Sequence, residues 1–291
     1  SAANGDDDDS AATGDDDDSA DDDDASDDDD DSAIGDDDDS ADDDDSSDDD
    51  DSADDDDSAD DDDSAAAAPL EVAIPGYFYP GSLWGDVEAT AGQTTLFVAN
   101  PNSGPGGSQD PNYLSWITAL RAAGVQVIGY VHTSYGARDA ATVEGEVADW
   151  YAYYPVDGIF FDEVPSTSTC TAMEGQYDAW AAAVRAQDPS ALVVLNPGTD
   201  TCESYLSFAD VLLTFESAAA DHVAWTPAPW TAAYPPDRFW HLLHAAAPTD
   251  VTPAIERMRA GNVGRVYITD DLLPNPWDTL PGFWSELLAA L

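Results

Sequence analysis

The chain has 291 residues, with 63 acidic side chains against seven basic ones and a formal net charge of −56. All seven basic residues are Arg and Lys is absent, so the surface repels phosphate backbones and excludes nucleic acid as a partner. No run of eighteen apolar residues occurs, so no helix is long and apolar enough to cross a membrane.

The first 64 residues hold 37 of the acids, all Asp, with no Lys, Arg, His, Glu, Pro or aromatic residue among them. Asp, Ser, Ala and a little Gly bury too little to offset an ordering cost of about 1–2 kcal/mol per residue. Residues 1–68 are therefore expected to form a disordered acidic stalk, extended by self-repulsion. Its carboxylates invite diffuse, weak cation association, but the repeats lack the glycine and the spacing of an EF-hand loop. A chain opening SAANG ahead of such a stalk reads as the product of processing. A secreted or surface-anchored protein is expected, with a signal or lipid-attachment segment in its precursor.

Residues 69–291 have the length for one substantial core. Short apolar runs alternate there with helix-like stretches. The runs open at Val72 (VAIPGYFYP), Thr94 (TTLFVANP), Val125 (VQVIGYVHT) and Val156 (VDGIFFDE). They continue from Ala191 (ALVVLNPG), Asp210 (DVLLTFES), Arg238 (RFWHLLHAA) and Arg265 (RVYITDD). Each is strand-length, rich in β-branched or aromatic residues and bounded by polar, Gly or Pro residues. Helices are predicted over Asn112–Ala123, Ala141–Tyr154, Met173–Gln187 and Pro253–Ala260, with a closing helix over Trp277–Leu291. Eight strands, seven helical connections and a closing helix describe a (β/α)8 TIM barrel. A doubly wound open sheet is the alternative, but no Gly-rich phosphate loop follows the first strand.

Chemistry gathers where barrel sites lie, at the carboxyl ends of the strands. The fourth strand ends in Asp162 and Glu163, and the sixth ends in Glu216. A glycosidase needs one acid to protonate the leaving oxygen and a second carboxylate as nucleophile or base. Acids after strands also cap helices, and Asp210 and Asp237 fit that simpler role. Consecutive strand residues face opposite ways, so Asp162 and Glu163 cannot both face the axis in regular strand. Candidate substrate contacts at or beyond strand ends are Tyr79, Tyr130, His132, Tyr135, Arg138, Asn196, Trp225, Trp240 and Tyr267. Core packing is the competing role for the aromatics among them. His241 and His244 lie three apart in one strand and point to opposite faces, which argues against a paired metal site. No cofactor is expected. Cys170 and Cys202 follow neighbouring strands and are expected to pair if the protein is exported.

The stretches IPGYFYPGSLW (Ile74–Trp84), NPNSGPG (Asn100–Gly106), GVQVIGYVHTSYGAR (Gly124–Arg138), VDGIFFDE (Val156–Glu163), LNPG (Leu195–Gly198) and FES (Phe215–Ser217) occur in order along the barrel. In these motifs the chain resembles the spherulin-4-like family, whose enzymatic members form glycoside hydrolase family 135. The resemblance implies a secreted endo-α-1,4-N-acetylgalactosaminidase-like enzyme acting on a galactosamine-rich polysaccharide. It maps the family's acids onto Asp162, Glu163 and Glu216. The expected assignment is Asp162 as nucleophile, Glu216 as general acid/base and Glu163 as an orienting or binding acid, with exchange of roles left open. The expected assembly is a monomer. Two other functions compete: a non-catalytic, adhesin-like carbohydrate-binding protein on the same barrel, and a hydrolase of the deacetylated polymer, whose ammonium groups an acidic cleft would attract.

Overall fold

A computed structural model describes residues 69–166 and 169–291. The stalk expected over residues 1–68 lies outside them. Eight parallel strands pair in chain order and close into a barrel. They are β1 (Glu71–Gly76), β2 (Thr94–Ala99), β3 (Gln126–His132), β4 (Gly158–Asp162), β5 (Leu192–Leu195), β6 (Val211–Ala218), β7 (Phe239–His244) and β8 (Arg265–Ile268). The helices outside them are α1 (Ser82–Ala89), α2 (Pro111–Ala122), α3 (Ala140–Tyr153), α4 (Cys170–Gln187), α5 (Ala219–His222), α6 (Val251–Ala260) and α7 (Trp284–Ala290).

Local chemistry accounts for several boundaries. Asp110 caps α2 by accepting from the Asn112 amide, with Pro111 at the first helical position, where its missing N–H costs nothing. Asp139 caps α3 in the same way through Thr142. Two of the seven expected helical connections are reduced. A single 3-10 turn, Glu203–Ser207, joins β5 to β6. Between β6 and β7 there is only the four-residue α5 and short 3-10 turns, because Pro227, Pro229, Pro235 and Pro236 remove amide donors from the segment. The closing helix begins at Trp284, not Trp277, since Pro281 and Gly282 interrupt any earlier start.

The alternation along β3 and β4 fills both sides of the barrel wall. Tyr130 stacks on Phe160, and Phe160 meets Trp240 of β7 edge-on at 5.7 Å, all within the barrel. Phe161 faces out and stacks on Trp180 of α4. Gly129, next to Tyr130, also faces out. A Cβ there would sit 2.3 Å from the ring of Trp150, whose indole N–H donates to the Tyr130 carbonyl at 2.8 Å. The missing side chain at Gly129 is what lets α3 lie against the sheet.

Candidate active site

At the carboxyl end of the barrel a cleft of about 590 Å³ opens, lined by Asp162, Glu163, Asn196 and Glu216 together with Tyr77, Tyr135, Gly198, His244 and the segment Leu273–Trp277. Asp162 is the last residue of β4 and shares the inward parity of Phe160. Glu163 follows it with φ of 55°, the left-handed region that non-glycine residues rarely occupy. That turn of the backbone answers the parity problem: Glu163 leaves the strand and reaches the same cleft from the loop. The loop after β3 holds it there. Ser134 donates its amide to Glu163 Oε2 at 3.0 Å, and the Tyr135 amide donates to the Glu163 carbonyl at 2.7 Å.

Glu216 comes inward by a different device. Its strand pairs with β7 in a register that shifts between Leu213 and Phe215, leaving Thr214 as an extra residue. Leu213 is paired with the inward-facing Trp240, so an unbroken strand would turn Phe215 in and Glu216 out. The bulge reverses the parity, pairing Glu216 with Leu242 inside and Phe215 with His241 outside. Behind the wall, His241 stands 3.1 Å from the Thr214 hydroxyl through Nε2 and 3.1 Å from His222 Nε2 through Nδ1. This buried chain anchors the extra residue.

Asn196, directly after β5, joins the two acids. Its side-chain amide nitrogen donates to Asp162 Oδ1 and to Glu216 Oε2, each at 2.7 Å. The two oxygens therefore lie within twice that length of each other. Asp162 also accepts from the Tyr130 hydroxyl at 2.7 Å. Glu216 receives a second, longer bond of 3.3 Å from the indole of Trp277. Gly198, at φ 66°, completes the turn after Asn196, and its carbonyl accepts from the Glu216 amide at 2.9 Å.

These surroundings separate the acids electrostatically. Burial, and then the charge of Asp162, push the Glu216 carboxyl from 4.5 up to about 7. Burial also raises Asp162, but bonds from Tyr130, the Glu163 backbone and Asn196 oppose the rise by favouring the ionised form. The hydrogen bonds that favour the ionised form of Asp162 thus direct the proton of the pair toward Glu216.

The aromatic and polar candidates divide. Tyr135 is 65% exposed and lines the cleft. Tyr130 is buried beneath it and acts on Asp162 through its hydroxyl. Trp240 and Tyr267 are fully buried, so neither offers a face to a sugar; Trp240 packs on Phe160, and Tyr267 donates to the Thr279 carbonyl. Trp225 lies outside the wall, stacked on His222 and edge-on to His241. Arg138 is committed to Glu146 in a two-bond ion pair and, with the Ser103 carbonyl, flanks His132. Tyr79 borders a separate groove near α2, its hydroxyl donating to Asp110 and accepting from Asn112. None of these last six lines the cleft.

Sequence reasoning missed Tyr77 and Trp277 as cleft residues and considered His244 only as a metal ligand. Tyr77 meets Tyr130 edge-on at 5.3 Å, and its amide donates to the Trp277 carbonyl. The run PNPW, Pro274–Trp277, was the available signal, since a Pro-rich segment directly after the eighth strand reads as a loop at the face where barrel sites lie. The cysteine pair is a disulfide, Cys170–Cys202, tying the start of α4 to the β5–β6 connection.

The family model for spherulation-specific family 4 matches residues 71–291. Spherulin-4 of Physarum polycephalum is 30% identical over 240 residues, covering 78% of this chain and 71% of that protein. Among solved structures, Aspergillus clavatus Sph3 in complex with GalNAc superposes with a TM-score of 0.65 at 26% identity, over 77% of this chain and 97% of that one. The Bacillus cereus spore cortex-lytic enzyme SleL has a TM-score of 0.51 at 9% identity, over 77% and 75% of the two chains, a likeness of fold alone. With the family model spanning the barrel from β1 to the last residue, the chain belongs to spherulation-specific family 4, the spherulin-4 family.

Proposed function

We propose that the barrel is an endo-acting glycoside hydrolase that cleaves α-1,4-linked N-acetylgalactosamine polysaccharide with two carboxylates. The observation that carries this reading is the bridge from Asn196 to both Asp162 and Glu216 in the wall of one cleft. Acids about 5–5.5 Å apart suit a retaining mechanism, whereas inverting pairs stand about 6.5–9.5 Å apart. A single nitrogen bonding both acids favours the shorter spacing. Sph3, solved with GalNAc, supports an amino sugar as substrate.

In this mechanism Glu216 gives its proton to the glycosidic oxygen while the Asp162 carboxylate attacks the anomeric carbon. The carbon–oxygen bond to the leaving sugar breaks, and a glycosyl ester forms on Asp162. Water then attacks the ester, losing a proton to Glu216 and restoring both acids. In an α-linked sugar the 2-acetamido group lies on the same face as the leaving oxygen. It cannot displace that oxygen from behind, so the enzyme must supply the nucleophile. Glu163, held by Ser134, orients Asp162 or the substrate. The enzyme works as a monomer, exported or held at the cell surface, where an oxidising medium maintains the disulfide.

Incubation with acetylated and de-N-acetylated α-1,4-galactosamine oligosaccharides, followed by mass spectrometry, tests the proposal. Internal cleavage of the acetylated series is expected. Binding without cleavage of either series would leave a carbohydrate-binding barrel and overturn the enzymatic reading.

A further inference from the structure

His244 closes β7 two residues beyond Leu242, the register partner of Glu216, so it stands one strand repeat nearer the mouth of the cleft. Its ring is part-exposed, lines the cleft and meets Trp277 edge-on at 6.3 Å. The two ring nitrogens differ. Nδ1 is buried with no hydrogen-bond partner, whereas Nε2 is not among the buried, unpartnered atoms and makes no hydrogen bond among the described residues, on a ring that lines the cleft. His241, three residues earlier on the same strand, has protein partners on both nitrogens.

Burial holds the His244 ring below its usual pKa, against the pull of Asp221, so it is neutral at pH 7 and carries one proton. An orphaned buried N–H is rarer in folded proteins than an acceptor with a lone pair unused. The proton therefore belongs on Nε2, where an outside oxygen can accept it.

We propose that His244 is a substrate-binding residue whose Nε2–H donates to an oxygen of the sugar seated beside Glu216 and Trp277. This assignment rests on the glycosidase reading and adds to it a contact outside the three acids.

The test compares wild type, His244→Ala and His244→Gln on α-1,4-N-acetylgalactosamine oligosaccharides. Binding is measured separately by calorimetry, with each His244 substitution placed in an inactive Asp162→Asn background. His244→Ala should raise KM and weaken binding about ten-fold, the worth of one hydrogen bond, while kcat changes less. Gln, which can still donate an N–H, should recover part of the loss, and both variants should melt within about 2 °C of the parent. Binding and KM within two-fold of the parent would overturn the assignment. So would a loss that Gln does not recover and that follows a fall in melting temperature. Wild type that cleaves beside an unimpaired Ala variant removes only the role of His244. Wild type that neither binds nor cleaves these sugars removes the glycosidase reading, and His244 with it.

Discussion

At the scale of single residues, the division of labour proposed for the acids follows from unequal solvation. Glu216 is raised to about 7 by burial and by the Asp162 charge, so it loses its acidic proton as pH rises through that value. We expect kcat/KM to fall on the alkaline side with a midpoint near 7, and on the acid side with a midpoint above that of an ordinary Asp, since Asp162 is raised as well. The Trp277 indole lowers the Glu216 pKa by bonding to its carboxylate, so Trp277→Phe should move the alkaline limb to higher pH. A limb that stays put would show that another group sets it. The same burial has a cost. The folded state holds a proton on Glu216 between 4.5 and about 7 that the unfolded chain releases, so stability falls as pH rises across that window. Above it, Glu216→Gln should stabilise the fold by as much as about 3 kcal/mol, read as a higher melting temperature at pH 8. The acid variants should also fail differently. Asp162→Asn should lose every substrate, while Glu216→Gln should still react with an aryl glycoside that leaves unaided, and azide should restore its second step.

At the scale of elements, one inserted residue decides whether the site exists. Thr214 bulges β6 and turns Glu216 inward, and the Thr214–His241–His222 chain holds the bulge from behind. His241→Leu leaves a buried hydroxyl and a buried imidazole nitrogen without their partner, which should cost about 2–4 kcal/mol. If the bulge relaxes, kcat should fall too, although His241 touches no substrate. Unchanged kcat in a destabilised variant would show that the bulge holds itself. The disulfide tethers two connections on the site face across 32 positions of sequence. Replacing both cysteines with Ser should lower stability by about 2–4 kcal/mol in unfolding experiments.

For the whole molecule, the proposed activity is expected to reside in the barrel alone. Residues 1–64 contain only Ala and one Ile as candidates to dock on the barrel, by composition too little to stabilise it. Their removal should leave melting temperature and turnover nearly unchanged, and a large loss of stability on truncation would contradict this. The site face itself carries exposed apolar side chains across the acids, with Tyr135 on one rim and Leu273, 70% exposed, on the other.

The sequence alone was enough for the eight strands in order and the barrel, and it placed the acids close to the ends of the fourth and sixth strands, although β6 runs two residues beyond Glu216; the cysteine pairing it left conditional on export. Those features are written locally, as strand-length apolar runs and as residues at their ends. Three matters were settled only by tertiary structure. Which side a strand residue faces depends on register, and an extra residue such as Thr214 is invisible until its partner strand is known. Whether an aromatic residue binds or packs depends on what covers it, which separates Tyr135 from Trp240 and Tyr267. The cleft also draws Tyr77, His244 and Trp277 from segments far apart in the chain, and Trp277 reaches Glu216 across 61 positions of sequence. No local pattern encodes such a meeting, because closure of the barrel, not chain neighbourhood, brings the ends of β1, β6, β7 and β8 to one rim.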